Sequence, residues 1–306
     1  MSCLLAWIAV SGGCAEDVTW QNYLNSGDAA YRDGRYEEAQ TWMEQALAAA
    51  SKFGEKDVRL AACLGGLGRV YTARGRYAEA EPLLTRALSI RERLLGRDHV
   101  DVAESVNNLA VLLHSQGRLQ EAEQLYTRSL DIRKRTLGAQ HVDVARTLVN
   151  MALLYYSQAR YEQSEQASMQ ALPILEQRLG QDHPEIATAL NNLAGLYQTK
   201  GKYSEADPLY RRALAIDEKQ FGSEHPNVAM DVANLALVCQ EEGKYSEAGT
   251  MYKRAIDNRR KLLGPNHPSL APVLKNYARF LRLTRRFDEA ARTGREAETI
   301  IQATTP

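Results

Sequence analysis

One phrase recurs along this chain at a fixed spacing, and it limits what the chain can fold into. An Asn-Leu-Ala triplet is followed, seven residues after its alanine, by a glycine, and later by a Leu-Gly or Phe-Gly pair and a histidine. The clearest copies begin at Asn108, Asn192 and Asn234, so the spacing is 42 residues or a multiple of it. A period of roughly 20–50 residues is typical of repeat proteins, in which each unit buries its apolar face against its neighbours.

Each copy contains the pattern of two helices joined by a tight turn. The turn position is mostly glycine: Gly34, Gly75, Gly117, Ala159, Gly201, Gly243 and Arg285. Small residues follow at two positions: Ala39, Ala80, Ala122, Ser164, Ala206, Ala248 and Ala290, then Ala46, Ala87, Ser129, Ala171, Ala213, Ala255 and Ala297. Seven residues apart, these small side chains share one helical face and allow a second helix to approach closely.

A second loop closes each helix pair. Glycines suited to stopping a helix stand there: Gly54, Gly96, Gly138, Gly180, Gly222 and Gly264. Pro184, Pro226 and Pro268 then occupy predicted first helical positions, where a missing N–H costs nothing. The pattern therefore predicts seven helical hairpins in series.

These residues resemble a known family. The Gly-x-Tyr-x-x-Ala turn, with Leu-Ala before it and alanine after it, resembles the tetratricopeptide repeat. The Asn-Asn-Leu-Ala phrase, the segment 203–214 and the Leu-Gly-x-x-His-Pro loops resemble its kinesin light chain variety. The resemblance implies an all-α, right-handed α-α superhelix, a solenoid of seven helix-turn-helix repeats over residues 17–300. The expected repeats are approximately 17–58, 59–100, 101–142, 143–184, 185–226, 227–268 and 269–300, followed by a tail at 301–306.

The first sixteen residues resemble an export signal. An apolar run from Leu4 to Val10 precedes the small residues Gly13-Cys14-Ala15 and is too short to span a bilayer as a helix. Cys14 stands where a bacterial lipoprotein signal carries its lipidated cysteine, although Ser11 replaces the usual leucine. We expect export to the periplasm, with a lipid anchor at Cys14 as one form of it. A disordered terminus on a cytoplasmic protein is the alternative.

Nothing in the sequence indicates catalysis, a cofactor or a metal. One repeat position carries a column of histidines: His99, His141, His183, His225 and His267. Equivalent residues of successive hairpins lie roughly 16–20 Å apart if helices pack at their usual separation, too far for one ion to bridge. We expect these histidines to form loop hydrogen bonds beside the helix starts.

A column of asparagines is the best candidate for binding. They occupy one position just before the buried Leu-Ala pair: Asn108, Asn150, Asn192, Asn234 and Asn276. The family resemblance implies that this helix lines a concave groove and that this position grips a bound peptide. An amide can both donate to and accept from a peptide bond without the desolvation cost of a charge. The alternative is that these amides join neighbouring helices, and both roles can coexist.

Three arginines are predicted to lie beside the asparagine column. Arg69, Arg146 and Arg279 could engage acidic side chains or a carboxylate. Kinesin light chains bind short acidic peptides with an aromatic anchor, so the resemblance permits a protein or peptide partner of that kind, although the groove positions of this chain match theirs only in part. The prediction is therefore a non-enzymatic scaffold that binds an extended partner segment in its groove.

Charge bears on partners and on self-association. Lys plus Arg and Asp plus Glu both number 38, so the chain lacks the net basic charge that general nucleic-acid binding requires. Residues 16–58 carry nine acidic and four basic residues, whereas residues 250–306 carry five acidic and twelve basic ones. Ordinary surface variation, an acidic ligand near the C-terminal end, or weak head-to-tail contact between copies would each explain this. A monomer, a structural or self-assembling module and a regulatory subunit stay open as alternatives.

Overall fold

A computed structural model describes the backbone of residues 11–54 and 56–304, with side chains described from Thr19 to Ala303. This part of the chain forms fourteen α-helices and a short 3₁₀ helix. In order they are α1 (Ser11–Arg32), α2 (Tyr36–Ala50), the 3₁₀ helix (Ser51–Phe53), α3 (Val58–Ala73), α4 (Tyr77–Leu95), α5 (Val100–Ser115), α6 (Leu119–Leu137), α7 (Val142–Ser157), α8 (Tyr161–Leu179), α9 (Pro184–Thr199), α10 (Tyr203–Phe221), α11 (Pro226–Glu241), α12 (Tyr245–Leu263), α13 (Leu270–Leu283) and α14 (Phe287–Thr304). The predicted all-α class is confirmed.

The predicted export signal falls largely outside this description. Residues 1–10 are not described, and neither is the side chain of Cys14. Export and lipidation therefore stay predictions.

Odd-numbered helices are called A helices below, and even-numbered ones B helices. The small residues predicted to permit close packing of each A helix on a B helix are buried. All fourteen are at most 3% exposed. Gly68 of α3 shows how close the helices come, because a Cβ placed there would lie 2.6 Å from Leu84 of α4. Close packing of this kind is a direct consequence of small side chains at the contact.

Each A helix ends in a tight turn that requires a left-handed backbone. At Gly117, φ is +77°, and the next residue, Arg118, donates its N–H to the carbonyl of Leu113 at 2.9 Å. This 6→1 bond is the Schellman arrangement that satisfies the last carbonyls of a helix. Ala159 and Arg285 adopt the same conformation, with φ of +57° and +63°, although they carry side chains. The two turn positions that lack glycine therefore keep the left-handed conformation of the glycine turns.

Four of the five histidines in the column cap the first turn of an A helix, and His267 instead accepts the N–H of Ser269, the residue before α13, at 3.3 Å. Nδ1 of His99, of His141 and of His183 accepts the backbone N–H two residues on, at 3.1, 3.2 and 3.2 Å. His225 caps α11 in the same way. An N-cap acceptor satisfies one of the four N–H groups that the first turn leaves free. The column therefore has the structural role predicted for it.

The chain divides into two compact units, residues 1–159 and 160–306. In the first unit, the backbones of consecutive A helices approach within 8 Å in the pairs α1–α3, α3–α5 and α5–α7. Consecutive B helices are instead connected by ion pairs between long side chains, such as the pair of Arg128 in α6 with Glu92 in α4 at 2.6 Å. The A helices thus form the more tightly curved side of this unit. The solvent-facing surface of these A helices is called the A face.

The second unit contains helices α8 to α14. Its core is rich in aromatic rings, and Tyr252 of α12 packs on Tyr277 and Phe280 of α13 with ring centroids 5.6 and 5.5 Å apart. The hydroxyl of Tyr252 donates to Gln240 of α11 at 3.1 Å, so the buried phenol is satisfied. Helices α11 and α13 approach each other directly, which places their outer side on the A face of this unit.

Candidate functional site

The A face of the first unit contains a cleft of about 490 Å³. Its walls come from the A helices α1, α3, α5 and α7 and from the first residue of α4. The lining residues are Tyr31, Arg69, Thr72, Ala73, Tyr77, Asn107, Asn108, Val111, Ser115 and Asn150. Three of the predicted site residues, Arg69, Asn108 and Asn150, are therefore brought together in one cavity. Tyr31, Tyr77 and Asn107 are additions that the sequence did not single out.

Two asparagines that are adjacent in the sequence have different roles here. Asn150 of α7 donates from Nδ2 to Oδ1 of Asn107 at 3.3 Å, so Asn107 ties α5 to α7. Asn108 makes no hydrogen bond within the described residues. Within the Asn-Asn doublet, Asn107 is thus the amide that joins neighbouring helices. The donors and acceptor of Asn108 stay available for another group. The doublet itself was the available sequence signal.

Arg69 supplies the positive charge of the cleft. Its guanidinium lies 2.5 Å from Asp28 of α1 and packs over the ring of Tyr31, 5.1 Å from the centroid. Its Nε is buried without a hydrogen-bond partner. Among the described residues, those that line the cleft include this one cation and no acid. A ligand with a negative group would therefore find a fixed cation that still has a free donor.

Gly66 stands 42 residues before Asn108, at the asparagine position of its own repeat, and it lacks a side chain for a steric reason. A Cβ at Gly66 would lie 2.6 Å from Sδ of Met43, whose side chain is fully buried between α1 and α3. The missing side chain leaves a smaller cleft of about 150 Å³ beside the first, lined in part by Gly65, Gly66, Arg69 and Asn108. Arg69 and Asn108 line both clefts.

The other two predicted arginines are already paired. Arg146 of α7 lies 2.8 Å from Asp143 on its own helix, and its side chain is 44% exposed. Arg279 of α13 forms an ion pair with Glu241 of α11 on the A face of the second unit. Exposed pairs of this kind are weak, so a ligand carboxylate can compete for either arginine.

The remaining asparagines of the column lie on the A helices of the second unit. The side chains of Asn192, Asn234 and Asn276 make no hydrogen bond within the described part of the chain, and Nδ2 of Asn192 is buried. Asn191, the first residue of another Asn-Asn doublet, donates to Asp231 of α11 at 2.6 Å. The division of roles seen at Asn107 and Asn108 is repeated here.

The described residues contain no group of three or more His, Cys, Asp or Glu side chains that could hold a metal ion. Among the described helices, none combines the length and the apolar character that crossing a membrane requires.

Stacked helix pairs with a polar A face define a class of interaction scaffolds. Comparison with known proteins supports this class. The tetratricopeptide repeat model matches overlapping segments at 20–93, 67–135, 101–177, 143–219, 185–231 and 228–303. The chain therefore belongs to the tetratricopeptide repeat family, a family of non-enzymatic scaffolds, and it has the 42-residue kinesin light chain-like form of the repeat. No relative is found among curated proteins.

Solved structures with the same architecture come from varied sources. BtubC (BKLC) from P. vanneervenii is 24% identical, with a TM-score of 0.64 over 75% of this chain and 91% of that chain. The nearly identical repeats of a putative kinesin light chain from Podosopora anserina are 26% identical, with a TM-score of 0.56 over 67% of this chain and 97% of that chain. The Rap conjugation gene regulator of plasmid pLS20, in complex with the Phr* peptide, is 13% identical, with a TM-score of 0.69 over 99% of this chain and 80% of that chain.

Proposed function

We propose that this chain is a scaffold that binds an extended segment of a protein partner on its A face. The binding site that we assign first is the cleft around Asn108 in the first unit. The observation that carries the proposal is the convergence of three asparagine amides, the guanidinium of Arg69 and two tyrosine rings on one cavity.

The chemistry of the cleft suits a peptide that carries an acidic group. Asn108 has an unused donor pair and acceptor, which match the carbonyl and N–H of a peptide bond. Arg69 offers a charge-assisted hydrogen bond to a carboxylate, although its guanidinium is also paired with Asp28. Tyr31 and Tyr77 provide amphipathic walls that can receive an apolar or aromatic anchor.

The fold supports this proposal in one further respect. The Rap regulator of pLS20 was solved in complex with the Phr* peptide, so a helical array of similar architecture can bind a peptide. At 13% identity, that likeness concerns the architecture alone. The lining of the cleft therefore supports the proposed position of the peptide on this chain.

The test is selection of peptides from a displayed library on the full chain, followed by affinity measurement on variants. Asn108→Ala removes an amide that makes no hydrogen bond within the described residues, so its effect on folding should be small. Each lost hydrogen bond should weaken binding by roughly 2- to 13-fold, corresponding to about 0.5–1.5 kcal/mol. Arg69→Gln should weaken acidic peptides most. Asn266→Ala, which removes an exposed amide in the loop before α13 and outside the asparagine column, is the control and should bind normally.

The result that would contradict the proposal is equally plain. If the selected peptides bind Asn108→Ala and Arg69→Gln as tightly as the unmodified chain, the cleft is not the site. Selection of peptides without acidic residues would leave the cleft as the site but would remove the proposed role of Arg69.

Self-association is the second arrangement that the sequence leaves open. Light scattering at low and high salt tests it, because contact between oppositely charged ends weakens when salt screens the charges. A mass that does not change with salt and equals that of one chain would count against it.

A further inference from the structure

One buried pair of residues recurs where a B helix meets the A helix that follows it. The two residues of the pair are 14 apart in the sequence, and their place is called the junction position below. In the first unit, Nη1 of Arg91 donates to Oγ of Ser105 at 2.9 Å, and Nη1 of Arg133 donates to Oγ1 of Thr147 at 2.8 Å. Each arginine also donates to a backbone carbonyl in the first turn of the A helix. At each of these two junctions, the buried guanidinium of an arginine holds the two helices together through its hydrogen bonds.

Two junctions of the second unit fill the same position in other ways. Leu175 and Ala189 occupy it between α8 and α9, and both are buried. Asp217 of α10 and Asp231 of α11 occupy it at the next junction. Two carboxyl groups thus meet where the first unit places an arginine against a hydroxyl.

The two aspartates are almost completely removed from water. Asp217 is 3% exposed and Asp231 is 0% exposed, and they stand at the two positions that are hydrogen-bonded to each other at the α4–α5 and α6–α7 junctions. The amide of Asn191, from α9, donates to Oδ1 of Asp231 at 2.6 Å. Oδ1 of Asp217 and Oδ2 of Asp231 are buried without a hydrogen-bond partner among the described residues.

Two ionised carboxylates are not stable in such a place. Like charges in contact repel, and burial penalises the charged form. The groups that act on the pair do not relieve this, because they are the amides of Asn191 and Asn227 and the carboxylate of Glu218. Glu218 lies beside the pair on α10 and is itself bound to Arg254 of α12. A hydrogen bond between two carboxyl groups requires that at least one of them carry a proton.

We propose that Asp217 and Asp231 share a proton that holds α10 against α11, and that release of this proton loosens the junction. The protonated member donates to its partner, and the amide of Asn191 holds Oδ1 of Asp231 in place. When the proton leaves, two buried carboxylates face each other without a donor between them. The junction is therefore a pH-sensitive device within the second unit.

The expected pH window follows from the environment of the pair. Burial raises the pKa of Asp217 to about 6, and burial together with the neighbouring Asp217 raises the pKa of Asp231 to about 7. Both values lie above that of an unfolded aspartate, so the folded chain retains protons that the unfolded chain has lost. Stability is then greatest at low pH and falls as pH rises towards and through these values.

Loosening of the junction would reach the A face of the second unit. Asp231 lies one helical turn before Asn234, and Asn191 directly precedes Asn192. Deprotonation thus acts on the segments that carry two of the asparagines in the column. This consequence concerns their positions and does not depend on whether a peptide binds there.

The experiment combines a titration with a stability measurement on the full chain. The carboxyl carbons of selectively ¹³C-labelled aspartate are followed by NMR from pH 4 to pH 9. We expect two resonances to titrate well above the normal aspartate range and to change together. Asp231→Asn should abolish both high titrations, because the new amide donates to Asp217 and lets it ionise.

Urea denaturation between pH 5 and pH 8 provides the second readout. For each proton retained by the folded chain, the unfolding equilibrium constant should rise by up to about tenfold per pH unit below the raised pKa. Asp231→Asn should remove this dependence relative to the unmodified chain. The double variant Asp217→Leu with Asp231→Ala transplants the apolar pair of the preceding junction and should remove it as well. Asp182→Asn, which alters an exposed ion pair with Lys219, should retain it.

Three results would overturn the proposal. One is that no aspartate titrates above about pH 5, which would mean that both carboxyls are ionised in the folded chain. Another is that the double variant folds and keeps the pH dependence of the unmodified chain. The third is stabilisation by a divalent cation that is lost in Asp231→Asn, since a metal ion rather than a proton would then join the two carboxyls.

Discussion

Asn150 donates a hydrogen bond from Nδ2 to Oδ1 of Asn107 at 3.3 Å, and this contact separates the roles of two adjacent asparagines. Asn107 is buried and connects α5 to α7, whereas Asn108 lines the cleft without a hydrogen bond among the described residues. One residue along an α-helix rotates the side chain by about 100°, so neighbours in the sequence point to different surroundings. The doublet thus combines a structural amide with an unoccupied one.

Substitution of the two asparagines should therefore have different consequences. Asn107→Ala leaves the amide of Asn150 without its acceptor and should lower the free energy of unfolding by about 1–2 kcal/mol. Asn108→Ala should change it by less than about 0.5 kcal/mol. Urea denaturation followed by circular dichroism measures both. Equal losses in the two variants would show that Asn108 also supports the helices.

The turn at Ala159 should improve when glycine replaces alanine. Its φ of +57° is unfavourable for any residue with a Cβ, and glycine adopts it freely. Ala159→Gly should stabilise the chain by about 0.5–1 kcal/mol after the greater freedom of glycine in the unfolded chain is deducted. Gly117→Ala, at an equivalent turn, should destabilise it by about 1 kcal/mol. Thermal unfolding of the pair tests the sign, and a loss of stability in Ala159→Gly would refute the argument.

His114 should make the first unit sensitive to acid. Burial lowers the pKa of its imidazole, and its Nε2 lies 3.0 Å from Oγ of Ser157. Because the folded chain disfavours the charged ring, the unfolded chain binds the proton more readily. Stability that is present above the ordinary histidine pKa is then lost as pH falls below it. His114→Gln should flatten this part of the profile in urea denaturation from pH 7 to pH 5. An unchanged slope would show that the histidine is equally easy to protonate in both states.

Gly66 and Met43 should behave as a coupled pair. A methyl group at Gly66 would collide with Sδ of Met43, which is fully buried, so Gly66→Ala should destabilise by about 1–3 kcal/mol. Met43→Ala leaves a cavity and should cost about 2–5 kcal/mol. In the double variant the new methyl group occupies part of that cavity, so the total loss should be smaller than the sum. A double-mutant cycle by urea denaturation measures the coupling, and strict additivity would contradict the contact.

The order of helices and turns could be predicted from the sequence because each signal acts within a few residues. The glycine at a turn, the histidine before a helix and the small residue on a helical face each depend on local geometry. Even the turns without glycine, at Ala159 and Arg285, are visible as exceptions in a column. The position of the asparagine column was predicted in the same way, although its binding role stays a prediction.

Long-range partners could not be predicted in that way. The pairing of Arg69 with Asp28, the collision that excludes a side chain at Gly66 and the addition of Tyr31 and Tyr77 to the cleft each join separate helices. A column of similar residues gives the period but not which neighbour each member meets. This is why the three arginine positions looked alike in the sequence and differ in the structure.

The sequence by itself determined the period, the all-α class and the two-helix unit, because these follow from backbone preferences and from side-chain size at fixed spacing. Tertiary structure decided which side chains lose water and which groups then face each other. Asp217 and Asp231 illustrate the difference. They are two ordinary acids 14 residues apart, and only burial at one junction makes them compete for a proton. The free energy of a charge depends on the medium around it, and that medium exists only once the helices have packed.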